Sequence, residues 1–169
     1  MRGSSVSADR EREALLGALR AQREHVLEAV EGLPDEALRR PVLPSGWTCL
    51  GLVQHLTLDV ERFWFRAVAA GETVDLESGD GAWRVAPDTP ADAVLGAYRD
   101  EAKRSDAVIA AAPDLTVGPA WWPVEIFADL PVRDLRETIL HVLTETACHA
   151  GHLDAVRELL DGHQHQVLT

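Results

Sequence analysis

Apolar residues recur at three- and four-residue spacing along most of the chain, which is the period of an α-helix with one buried face. From about Asp9 to Glu31 the stripe is Leu15, Leu19, Val26, Ala29 and Val30, and Gly32 with Pro34 stops it. After a turn around Pro41, Pro44 and Gly46, Thr48 stands where an N-cap belongs. Leu52, Leu56, Val60, Phe63 and Ala67 then share one helical face up to Gly71. Pro90 opens a third helix to about Ala112, with Val94, Leu95, Tyr98, Val108 and Ile109 facing inward. Asp134 caps the last and most regular helix, where Ile139, Val142, Leu143, Thr146, Ala150, Leu153, Val156 and Leu160 continue the stripe to Gly162.

Two connections are long for a bundle, a length at which loops often carry function. One, from Glu72 to Asp88, is rich in glycine and aspartate and contains Trp83; the other, from Pro113 to Arg133, contains Trp121, Trp122 and Phe127. Val124 to Phe127 is the run with most strand character. The pattern predicts an all-α fold, a four-helix bundle with long crossover loops. At 169 residues the chain has the length of one domain, read here as 1–169 with 1–8 and 163–169 as flexible tails.

Composition narrows the function. The formal net charge of −12, without a basic stripe interleaved with aromatics, argues against a nucleic-acid partner. No apolar run approaches the roughly 20 residues that span a bilayer, and the first residues lack a signal-peptide core. The expectation is a cytoplasmic protein without a membrane partner, a monomer or homodimer, with Cys49 and Cys148 as free thiols.

The candidate chemistry lies in the last helix, which reads His141-x3-Glu145-x3-His149-x2-His152. Residues four apart differ by only about 40° in azimuth, so Glu145 and His149 project side by side beside the apolar stripe, where an unpaired carboxylate is costly. His55, between Leu52 and Leu56, faces inward from the second helix. Two histidines and one carboxylate leave a coordination position open, as catalytic zinc sites do; iron, nickel and manganese accept the same ligands. His152 is a candidate acid/base or supporting group, and His141 an orienting hydrogen-bond donor. Trp47, Trp121 and Trp122 are placed to wall a cofactor pocket. Cys148 projects about 100° away from His149 and reads as a small structural hydrophobe. Asp59, one turn after His55, reads as part of a solvated helix face, with support of His55 as the alternative, and His163 and His165 read as solvated tail residues.

These residues resemble the DinB-like superfamily, specifically the branch that groups with mycothiol-dependent transferases and includes many actinobacterial proteins. The resemblance spans nearly the whole chain. It is carried by Ser45-Gly46-Trp47-Thr48 leading to His55, by Val60-Glu61-Arg62-Phe63-Trp64-Phe65, and by His141-Val142 followed by Glu145-x3-His149-x-Gly151-His152. It implies a bundle holding a zinc-type ion on His55, Glu145 and His149. It also implies a mycothiol-type low-molecular-weight thiol as cosubstrate, whose metal-bound sulfur is transferred to, or adds to, an electrophilic small molecule. Cys148 departs from the pattern, since many relatives carry a basic residue there. By chemistry alone the same ion also suits a metal-dependent hydrolase, with water as nucleophile, or a non-enzymatic metal- or ligand-binding, stress-related protein.

Overall fold

The computed structural model describes residues 2–77, 79–127 and 132–165. Helix α1 (Arg2–Val30) is followed by a short α2 (Asp35–Leu38). Helix α3 (Cys49–His55) is then prolonged without a break by a π-helical stretch, Leu56–Ala69. A 3₁₀ turn (Gly81–Trp83), α4 (Ala91–Ala111), a single-turn α5 (Val124–Phe127) and α6 (Leu135–Asp161) complete the chain. The fold is an all-α bundle, with no strand among the described residues; α1 lies along α6, and the π-helical stretch packs on both α4 and α6. No helix among the described residues is long and apolar enough to cross a membrane.

Predicted start and stop signals operate as expected. The Thr48 hydroxyl accepts the Gly51 amide at 3.0 Å, and the Asp134 carboxylate accepts the Glu137 amide at 2.9 Å. Gly162 closes α6 in the left-handed conformation at φ 79°, where a Cβ would be strained. Three expectations are corrected. Helix α1 begins at Arg2 rather than near Asp9. Val124–Phe127 is a helical turn rather than a strand, with the Phe127 amide bonding the Pro123 carbonyl at 3.0 Å. The second helix leaves the 3.6-residue period after His55: the Ala70 amide reaches back five residues to the Phe65 carbonyl at 3.0 Å. The wider turn buries two adjacent columns, Leu56, Val60, Trp64 and Val68 beside Thr57, Glu61 and Phe65. Residues 128–131 of the predicted second connection and 166–169 of the predicted tail lie outside the described residues.

The second buried column brings a charge into the core. Glu61 is fully buried and accepts both Nε and Nη2 of Arg23, itself 5% exposed, at 2.7 Å each. Arg23 Nη1 continues to Asp106 of α4 at 2.7 Å. A bidentate guanidinium–carboxylate pair fixes orientation as well as distance, so three helices are keyed together at one point. Tyr98 lies beside this pair, and burial, reinforced by the Glu61 charge, pushes its phenol well above the ordinary value. A second buried carboxylate, Glu101 of α4, is bridged by Arg62 at 3.4 Å, Arg66 at 3.2 Å and Arg104 at 3.3 Å.

Removing one partner of a buried ion pair leaves the other charge without full compensation, which costs about 3–5 kcal/mol. Glu61→Ala is therefore expected to lower unfolding free energy by roughly that amount, read as a shift of the urea midpoint. A loss below about 0.5 kcal/mol, the scale of an ordinary surface substitution, would show that the pair does not hold the bundle.

Candidate metal centre

The helix that carries His55 starts at the Thr48 cap and passes Gly51, where the absence of a side chain has a structural use. A Cβ on Gly51 would stand 2.3 Å from the Trp83 carbonyl oxygen, so only glycine lets the 3₁₀ turn settle against α3. Gln54, one turn on from Gly51, holds that 3₁₀ turn by donating to the carbonyls of Ala82 at 3.0 Å and Arg84 at 3.2 Å. The Trp83 ring is thereby stacked on His55, with ring centres 4.1 Å apart and planes 16° from parallel.

His55 Nδ1 donates to the Asp59 carboxylate, one turn on, at 2.8 Å. This contact sets the tautomer and leaves Nε2 with its lone pair free. His149 of α6 approaches edge-on, with ring centres 5.2 Å from His55 and 5.7 Å from Trp83. Its Nε2 lies 3.6 Å from the Glu145 carboxylate, and its Nδ1 lies 3.4 Å from Nδ1 of His152. Burial pushes His149 down to about 4, with His55 and His152 acting in the same sense and Glu145 opposing. At neutral pH His149 is an uncharged imidazole, the form that ligates metal.

His55, His149 and Glu145 thus offer two imidazole nitrogens and a carboxylate from two helices, a donor set that suits a zinc-class ion. Glu145 is held loosely, its side chain 42% exposed and its oxygen beyond hydrogen-bonding distance of His149. Among the described residues, the three-residue group whose donor atoms already lie within 4.8 Å of one another is a different one, His25, Asp154 and His165. The donor atoms of His55, Glu145 and His149 are not all gathered to that degree, although Glu145 and His149 are within it.

A family model described as mycothiol-S-transferase matches residues 14–162, most of the chain. The chain belongs to the mycothiol-S-transferase family. No curated protein and no solved structure matches it.

Within this mycothiol-S-transferase fold the predicted residues divide between two places. Trp47 joins the histidine cluster, its ring 6.4 Å from that of His152, and with Trp83, Ser45, Asp80 and Arg84 it lines a cleft of about 510 Å³. Trp121 and Trp122 do not join it in the contacts observed. Trp122 packs on Trp64 and Phe127, and Trp121 packs edge-on to Phe63. His141 lies against Trp64 at 4.4 Å, in that aromatic group, and burial lowers its pKa.

Cys148 is exposed and is not the packed small hydrophobe expected of it, whereas Cys49 is buried and its thiol is pushed up to about 11. Asp59, read from sequence as a solvated carboxylate, is the residue that orients His55. Trp83 was noted in its loop without being placed at the site. The one signal for it is the pairing of Gly51 with a tryptophan two residues after Gly81, which acquires meaning only when loop and helix touch.

Gly51→Ala forces the Trp83 carbonyl away, and overpacking of this kind costs roughly 1–3 kcal/mol. The expected result is that loss of stability, read by thermal melting, together with a change in tryptophan emission as Trp83 leaves His55. An unchanged melt and spectrum would show that the close approach is not maintained in solution.

In the unfolded chain His149 takes up a proton near 6.5, whereas in the fold it stays neutral down to about 4. Unfolding therefore binds a proton between those values. The metal-free protein is expected to lose stability as pH falls from 6.5 toward 4, with this contribution constant below 4, and His149→Gln should flatten that part of the profile. Identical pH profiles for the two proteins would contradict the assignment.

Proposed function

We propose that this family member is a metal-dependent transferase that delivers a mycothiol-type thiol to an electrophilic small molecule, with His55, Glu145 and His149 as the metal ligands. The observation that carries the reading is the meeting of His55 and His149 from two helices, 5.2 Å apart, beside a tryptophan-walled cleft of about 510 Å³. A divalent ion in that position lowers the pKa of a coordinated thiol, so that it is a thiolate at neutral pH.

The chain's own residues supply the rest. Asp59 fixes the ring of His55, and Glu145 contributes the negative charge that offsets the ion. Trp47 and Trp83 exclude water from one side, and Ser45, Asp80 and Arg84 present a hydroxyl, a carboxylate and a guanidinium to a polar thiol. His152, exposed and with Nδ1 beside His149, is placed to hold or accept a proton at the mouth of the site. Neither cysteine is suited to be the nucleophile. Cys49 is buried with its thiol held protonated, and Cys148, next to His149 in sequence, is exposed on α6, with about 100° of azimuth between the two. The reactive sulfur is accordingly exogenous.

Cobalt substitution tests the reading, because sulfur bound to cobalt adds an intense near-ultraviolet charge-transfer band that oxygen ligands lack. Mycothiol, or a simpler thiol analogue, should generate the band in the cobalt protein and be consumed when an electrophile is added. His149→Ala should abolish the band with loss of the metal, and Asp59→Asn should weaken metal affinity about 10–100-fold. Turnover of an ester or amide without the band would replace the transferase with a hydrolase. Neither band nor turnover, with metal retained, would leave a binding protein.

A further inference from the structure

We infer that the chain carries a second divalent-metal site, formed by His25, Asp154 and His165 at the seam of α1, α6 and the segment that follows α6. Their donor atoms all lie within 4.8 Å of one another. His25 Nε2 donates to the Asp154 carboxylate with both oxygens at 2.9 Å, and the His165 ring is stacked on that of His25, centres 4.0 Å apart and planes 18° from parallel. His25 lies 129 residues before Asp154, so sequence proximity does not explain its meeting with Asp154 and His165. Gly162, in its left-handed conformation, turns the backbone out of α6, and the segment beyond it carries His165 onto α1. The side chains of His25 and Asp154 are only 22% and 28% exposed, which limits competition from water.

Two imidazoles and a carboxylate form a borderline donor set, selective for ions of the zinc, nickel and copper class over magnesium or calcium. On binding, the ion takes the place of the proton between His25 Nε2 and Asp154, and the neutral imidazole carries that proton on Nδ1 instead. Asp154 lies about 140° in azimuth from His149 on α6, so the second site opens on a different face of the helix from the His55 centre. Its effect is structural: an ion held by all three residues ties the segment after α6 to the α1–α6 seam. The inference does not depend on the transferase reading.

The test uses the full-length protein stripped with a chelator, titrated with zinc, dialysed, and assayed for bound metal by mass spectrometry. The wild type should retain two equivalents per chain. His165→Ala and Asp154→Asn should each retain one, with far-UV circular dichroism unchanged, and His149→Ala should also retain one. His165 lies beyond the last helix, so its replacement does not threaten the fold. Zinc should raise the melting temperature of wild type more than that of His165→Ala. If His165→Ala and Asp154→Asn bind zinc with wild-type stoichiometry and affinity, the second site is overturned. If the His55 centre is the one that fails, the wild type binds one equivalent, which His165→Ala abolishes and His149→Ala does not.

Discussion

The guanidinium of Arg23 is sealed inside the bundle, and a buried cation persists there only if carboxylates meet it in good geometry. Glu61 supplies both oxygens and Asp106 supplies another, from the π-helical stretch and from α4. A planar fork bonded on two edges tolerates little rotation, so this contact sets the azimuth of the second helix relative to α1 and α4. Because His55 precedes Glu61 on the same continuous helix, the ion pair also determines which way His55 faces. The wide hydrogen-bonding pattern beyond His55 is what lets Glu61 reach the core while Val60 and Trp64 stay buried beside it.

The same economy of contacts shapes the candidate metal centre. Asp59 and Trp83 hold His55 from its Nδ1 edge and from one ring face, leaving Nε2 as the free donor. His149 is kept neutral chiefly by burial. Protons therefore compete poorly with a metal at neutral pH. Glu145 is the more exposed of the pair on α6, its oxygen 3.6 Å from His149. On an ion, two imidazoles and one carboxylate would leave room for a further ligand.

Much of this was legible along the chain. The spacing of Glu145 and His149 on a regular helix, and of His55 within an apolar stripe, places three potential ligands on inward faces by helical geometry alone. Thr48, Asp134 and Gly162 announced their helix ends through cap chemistry, which is local. Asp59 was visible as a neighbour of His55 one turn on, but hydration and hydrogen bonding to an imidazole leave the same mark in sequence. Trp121 and Trp122 resembled pocket walls because loop tryptophans often are. Their partners Phe63, Trp64 and Phe127 became apparent only when the crossing loop was laid on the bundle.

By itself, then, the sequence determined the main helices, their caps, the inward faces and the chemical character of the candidate ligands, because these depend on residues within a few turns of one another. Only the tertiary structure decided that Arg23 meets Glu61, that Trp83 stacks on His55 across the glycine gap, and that His25, Asp154 and His165 share one small volume. Those contacts join residues far apart in the chain, and periodicity sets which face of a helix is buried without setting which neighbour covers it.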